Sequence, residues 1–179
     1  MEQVIEEKLR REYSRVEAYL PFECRIVTRE EKDHIQARIA GDVSSSEFRP
    51  VPDMGDYDRI LDEWLKILNS KLDTVISLIT LQREGYFGLP FKTVNISGGG
   101  MSFLLPQAIP SKEILEIKVM LTFHQPLALC VYGEIVKSKQ SGDGYFVAVR
   151  YVHMDEFIRD EIIRFVFERE REIIREKRG

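Results

Sequence analysis

Between Asp58 and Glu84, apolar residues recur in alternating steps of four and three: Leu61, Leu65, Leu68, Leu72, Val75 and Ile79. No strand reads that way, because strand side chains alternate with a period of two. The run is a long helix with the spacing of a coiled-coil seam. Ile60, Trp64, Ile67, Leu78 and Leu81 widen the stripe on one flank. A two-stranded coil buries only a narrow seam. This width calls for packing on the parent domain as well, or for a bundle of more than two helices. The helix therefore either lies on its own sheet in a monomer or builds a homo-oligomer, a dimer or tetramer; the heptad spacing favours the second. Asp56 or Asp58 can cap its start, and Gly85 stops it.

On either side of this helix the texture is different. Periodicity predicts a helix over 2–18, with Val4, Ile5, Leu9 and Tyr13 near one face. Pro21 follows it, and "PFECRIV" and "HIQARIA" read as two strands joined by a hairpin loop, "TREEKD". Residues 41–56, "GDVSSSEFRPVPDMGD", form a loop rich in turn residues. After Gly85 come "PFKTVNIS", "MSFLLP", "ILEIKVMLTF", "LALCVYGEIVKSK" and "YFVAVRYVHM", all carrying β-branched or aromatic residues. Leu115, Ile117, Val119 and Leu121 alternate onto one face, and "SGDG" at 141–144 is a hairpin turn. A helix starts near Asp155, with Phe157, Ile158, Ile162, Phe165, Val166 and Ile173 on its apolar face. Its charge-alternating end is solvated. The class is mainly β with helices, and the short strands joined by tight turns specify an antiparallel barrel or sandwich.

Composition narrows the functions. The net charge of −4 over 179 residues gives no overall attraction to nucleic acid or to an acidic membrane, so an anion site has to be a local set of arginines. Cys24 and Cys130 sit in apolar strand contexts and read as buried free thiols of a reducing compartment. His34, His124 and His153 are scattered, and no Cys/His cluster has metal spacing. No nucleophile–base pair or paired carboxylates stand out, so an enzyme, a bound metal and a cofactor are not expected. The charged start "MEQVIEEKLRR" lacks the apolar core of a signal peptide, and no apolar run approaches the roughly 20 residues of a membrane span. The expected location is the cytoplasm.

The stretch "NISGGGMSF", residues 95–103, places three glycines between two strands. Glycine loses the most backbone freedom on folding, so three together imply positive φ angles or a ligand against the backbone. "NISGGG" resembles the D/N-x-S-x-x-G motif of PilZ domains, with Asn95, Ser97 and Gly100 in the fixed places. "RREYSR" carries the family's R-x-x-x-R spacing at Arg11 and Arg15, and "VEAYLPFECRIV" after it looks like the family's opening strand. The resemblance covers about 10–40 and 86–170. It implies a six-stranded β-barrel with a helix at its end. On that reading residues 1–179 are one PilZ-like domain. Residues 1–19 are an arm carrying R-x-x-x-R, 41–85 an inserted loop and coiled-coil helix, 86–154 the rest of the barrel, and 155–179 the closing helix. An inserted long helix resembles a tetrameric PilZ subgroup, some of whose members lack the ligand motifs.

The resemblance further implies a receptor for cyclic di-GMP that passes the signal to an effector protein. The alternative is an oligomeric adaptor of the same fold that does not bind nucleotide. The residue types suit the ligand. Arginine offers a planar fork that grips phosphate or the O6/N7 edge of guanine. The family places Arg11 and Arg15 on the ligand, with Arg10 as a secondary contact. Asn95 and Ser97 supply hydrogen bonds to it, and Gly100 lets the backbone come close. The arm around 8–16 is expected to be loose when free and closed when bound.

Overall fold

The computed structural model describes residues 13–41, 59–121 and 126–177. These fall into two compact units, one within Met1–Ile39 and Leu89–Gly179, the other within Ala40–Gly88.

The first unit is an antiparallel barrel. Its strands are β1 (Arg15–Ile26), β2 (Arg38–Ile39), β3 (Phe91–Ser97), β4 (Gly100–Leu105), β5 (Ile114–Leu121), β6 (Leu127–Ser141) and β7 (Gly144–Val152). Six of them close a ring in the order β6-β5-β1-β3-β4-β7, because β6 is long enough to pair with β5 along its first half and with β7 along its second. A register shift between Ile135 and Lys137 marks a bulge in β6, which bends the strand and helps the sheet to close. The two-residue β2 only borders β6, at Cys130 and Leu129. The "SGDG" turn pairs Ser141 with Gly144, with Gly142 in the left-handed region at φ 58°.

Alternation fills the barrel. Leu115, Ile117, Val119 and Leu121 of β5 all point inward and are buried. They meet Phe22, Ile96, Leu129, Val131, Ile135 and Val147, with the Phe22 and Phe103 rings 4.6 Å apart. Burial of each such side chain stabilises the fold by about 1.5–3 kcal/mol. The closing helix of this unit, Glu156–Glu176, begins as expected at Asp155, whose carboxylate accepts from the backbone N–H of Ile158 at 2.9 Å. Ile158, Ile162, Phe165 and Val166 join the barrel core.

Two expectations are corrected. The helix predicted over 2–18 does not extend through its described part: Tyr13 and Ser14 lead directly into β1. Val16, Ala18 and Leu20 are buried while Arg15, Glu17 and Tyr19 are exposed. That is a period of two, and it is the opening strand, "VEAYLPFECRIV", that the family resemblance implied. Pro21 lies inside β1, where the strand changes partner from β3 to β5. Residues 1–12 lie outside the described residues. Secondly, "TREEKD" joins no hairpin. Of "HIQARIA" only Arg38–Ile39 is a strand, and it pairs with β6 rather than β1. The chain is redirected by Glu31, which accepts from the Arg25 guanidinium at 2.9 Å and from the Thr28 N–H and hydroxyl, both at 2.9 Å. Arg25 is also held by Glu116. These bonds bring the Glu31 carboxyl down to about 2, the Arg25 contact contributing most.

In the second unit the helix α1 (Arg59–Arg83) runs over the predicted span, and Gly85 ends it with φ 82°. Gly41 lies so close to α1 that a Cβ there would meet Ser77 Oγ at 2.8 Å. No residue of α1 is buried; Trp64 is 66% exposed and Leu68 55%. The candidate caps Asp56 and Asp58 lie outside the described residues. No helix among the described residues is long and apolar enough to cross a membrane.

Candidate functional site

The three glycines sit at the turn between β3 and β4, where Ser97 pairs with Gly100. None of them has a positive φ, so the conformational reason expected from the sequence does not apply. Crowding takes its place. A Cβ on Gly98 would lie 2.7 Å from Ile163 and 2.9 Å from the Tyr13 ring, and one on Gly99 3.2 Å from that ring. A Cβ on Gly100 would lie 2.1 Å from the carbonyl oxygen of Val149. The turn is thus walled by the arm, by the closing helix α2 (Glu156–Glu176) and by the backbone of β7. Ser97 is buried and its hydroxyl donates to the Gly100 carbonyl at 3.0 Å, which ties the turn to itself.

Strand pairing brings the two sequence motifs together. Arg15, the last residue of R-x-x-x-R, lies directly opposite Ser97, and Glu17 lies opposite Asn95. Residues paired across strands share a face of the sheet. Since Val16 and Ile96 are buried in the barrel, Arg15 and Asn95 belong to its outer face. Arg15 is exposed and makes no ion pair among the described residues. Arg10 and Arg11 lie outside the described residues.

Tyr13 and Ser14, between the two arginines of the motif, are already seated. The Tyr13 ring lies against Gly98 and Gly99. Arg159 of α2 donates to the Gly98 carbonyl at 3.2 Å and stands 5.8 Å from the centre of the Tyr13 ring, a cation–π contact. The Ser14 hydroxyl donates to Glu170. A half-open cavity of about 70 Å³ remains beside them, lined by Tyr13, Ser14, Gly98, Ile163, Val166 and Phe167. The expectation of a loose arm over 8–16 is therefore corrected for its last residues, which are pinned to the turn and to α2. Tyr13 and Arg159 were not anticipated as site residues. In the sequence Tyr13 reads only as part of the apolar face of the predicted 2–18 helix, and Arg159 only as a helix charge.

The two cysteines are free, with Cys130 buried and Cys24 half-buried. Burial raises both thiols, Cys24 to about 11, so neither is a thiolate at neutral pH. Among the described residues no group of three or more His, Cys, Asp or Glu side chains is placed to hold a metal ion.

Comparison with known proteins bears on the family and the fold. A family model of the PilZ domain matches residues 72–168, a span that contains Asn95, Ser97 and Gly100 but not Arg15. No curated protein matches the chain. Among solved structures, a pathogenic protein from Xanthomonas campestris is similar over 96% of each chain, with a TM-score of 0.59 and 17% identity. That protein is a tetrameric PilZ domain self-assembled via a helical bundle. At this identity the likeness is one of fold, and it extends over barrel, long helix and closing helix alike. The chain belongs to the PilZ domain family.

Proposed function

We propose that this protein is a cytoplasmic receptor for cyclic di-GMP, assembled as an oligomer through α1, that hands the signal to an effector protein. The observation that carries the reading is the β1–β3 register, which sets Arg15 opposite Ser97 and two pairs along from Asn95, on the same outer face. On this reading Arg15 grips a phosphate or a guanine edge and Asn95 bonds the base. Arg10 and Arg11 close over the ligand from the side of the arm. The protein acts as a receptor domain, not an enzyme, and needs no cofactor.

Assembly through Leu61, Leu65, Leu68, Leu72, Val75 and Ile79 is supported by the bare apolar stripe of α1. Soluble monomers rarely leave so continuous an apolar surface in water. The tetrameric helical bundle of the Xanthomonas campestris protein favours four copies, and the width of the stripe does too.

One observation favours a second reading, an oligomeric adaptor without nucleotide. Ser97, Gly98, Gly99 and Gly100 each have a packing reason to be what they are. Isothermal titration of cyclic di-GMP into the full chain, freed of co-purified nucleotide, separates the two. The receptor reading expects micromolar or tighter binding, weakened roughly 10- to 100-fold in Arg15→Ala, the loss expected for one charge-assisted contact. Absence of heat from folded protein would leave the adaptor.

A further inference from the structure

The outer face that carries Arg15 and Asn95 continues across the barrel. Pairing runs from Arg15 to Ser97, from Ser97 to Gly100, and from Gly100 to Arg150 of β7. The next row is Glu17, Asn95, Ser102 and Ala148. Between the two edge strands every side chain in these rows is small: serine, asparagine, glycine and alanine. Further along the same strands stand the pairs Tyr19–Thr93 and Leu104–Phe146, of which Tyr19 and Leu104 are well exposed. The result is a floor of small residues, in which Ser97 and Ser102 are buried. An arginine borders it on β1, a second arginine borders it on β7, and an apolar rim closes one end.

Resting on the cyclic di-GMP reading, we infer that Arg150 is a further ligand-binding residue, gripping the nucleotide from the side opposite Arg15. Val149 and Tyr151 are buried, so Arg150 belongs to the outer face, and it is exposed. Three strand spacings, about 14 Å of sheet, separate it from Arg15. The ligand has two phosphodiesters and two guanines, so it presents acceptors at both ends, and one arginine serves only one of them. Arginine meets phosphate or the guanine O6/N7 edge with two parallel donors. At present Arg150 is held by Glu134, its neighbour on β6, at 3.3 Å. Glu134 and the incoming ligand compete for the same guanidinium. Glu17 is a further carboxylate on this face, opposite Asn95, and it opposes phosphate but can accept from the guanine N2 amine.

The test is titration of cyclic di-GMP into the full chain carrying Arg150→Ala, Arg150→Lys or Glu134→Gln. Arg150→Ala is expected to weaken binding about 10-fold or more, and Arg150→Lys, which keeps the charge but loses the fork, by less. Glu134→Gln removes the competitor and is expected to tighten binding several-fold. That variant breaks the same ion pair as Arg150→Ala, so opposite effects on affinity exclude a merely structural role. The inference is overturned if Arg15→Ala weakens binding while Arg150→Ala matches the wild type, a result that leaves the receptor reading standing. It is also overturned if Glu134→Gln weakens binding as much as Arg150→Ala. A wild-type chain that binds no nucleotide removes both readings together.

Discussion

Gly100 shows how one residue can satisfy two readings of a motif. Its missing Cβ is demanded by the Val149 carbonyl, and this demand exists whether or not a ligand comes. Gly100→Ala is expected to destabilise the barrel by about 1–3 kcal/mol, the usual cost of forcing a group into filled space. Thermal unfolding reads this as a lower midpoint, without nucleotide present. An unchanged midpoint would mean that β7 moves aside freely and that the glycine is free for another purpose. The sequence spelled the motif, but the contact lies with a strand about fifty residues further on, and nothing local reveals it. Glu31 is a second case. In "TREEKD" it looks like one loop charge among several, yet it accepts from Arg25 and Thr28. Its carboxyl sits at about 2 against an ordinary 4.5. A depressed carboxyl contributes stability above its unfolded value, and loses it as pH falls toward the folded one. The stability difference between wild type and Glu31→Gln should therefore be full at neutral pH and vanish between pH 4.5 and about 2. A difference that does not change with pH over that window would show that the ionised carboxylate is not what holds the turn.

Among the elements, periodicity is decisive where one side chain set meets one surface, and weak where the chain changes surface. The heptad pattern located α1, and strict alternation located β5, because each has a single apolar face. β1 is harder to see. It pairs with β3 and then with β5, so its buried set changes from Val16, Ala18 and Leu20 to a run that includes Pro21 and Phe22. Its first half, next to a charged segment, fits a helix nearly as well when only neighbours along the chain are weighed. β2 fails for the opposite reason: two residues of pairing leave no period at all. For α1 the expected consequence is association. Leu68→Asp together with Leu72→Asp puts charge on the seam, where an unpaired charge is far costlier than the roughly 1.5–3 kcal/mol that a leucine gains on burial. Light scattering is expected to give a single chain for this variant and an oligomer for the wild type. Equal masses would show that the stripe does not make the assembly.

At the scale of the whole molecule, the two proposed functions are assigned to different units. Arg15, Asn95, Ser97, Gly100 and Arg150 belong to Met1–Ile39 with Leu89–Gly179, and the apolar stripe belongs to Ala40–Gly88. Every pairing that positions the candidate site is a strand pairing inside the barrel unit. No residue of α1 supplies one. The barrel can therefore hold its site when the seam is charged, and the Leu68→Asp, Leu72→Asp variant should bind cyclic di-GMP within about threefold of the wild type, a difference under 1 kcal/mol. Titration of both proteins at the same concentration tests this. A larger loss would mean that assembly and binding are linked, and linkage is reciprocal: nucleotide would then have to change the oligomer's dissociation by the same factor. Measuring that dissociation with and without nucleotide would identify the coupling as equilibrium signalling, in which the second messenger acts on the helix bundle from the outer face of the barrel. Equal binding would assign the signal to the barrel and its arm, with the bundle serving to hold several receptors in one particle.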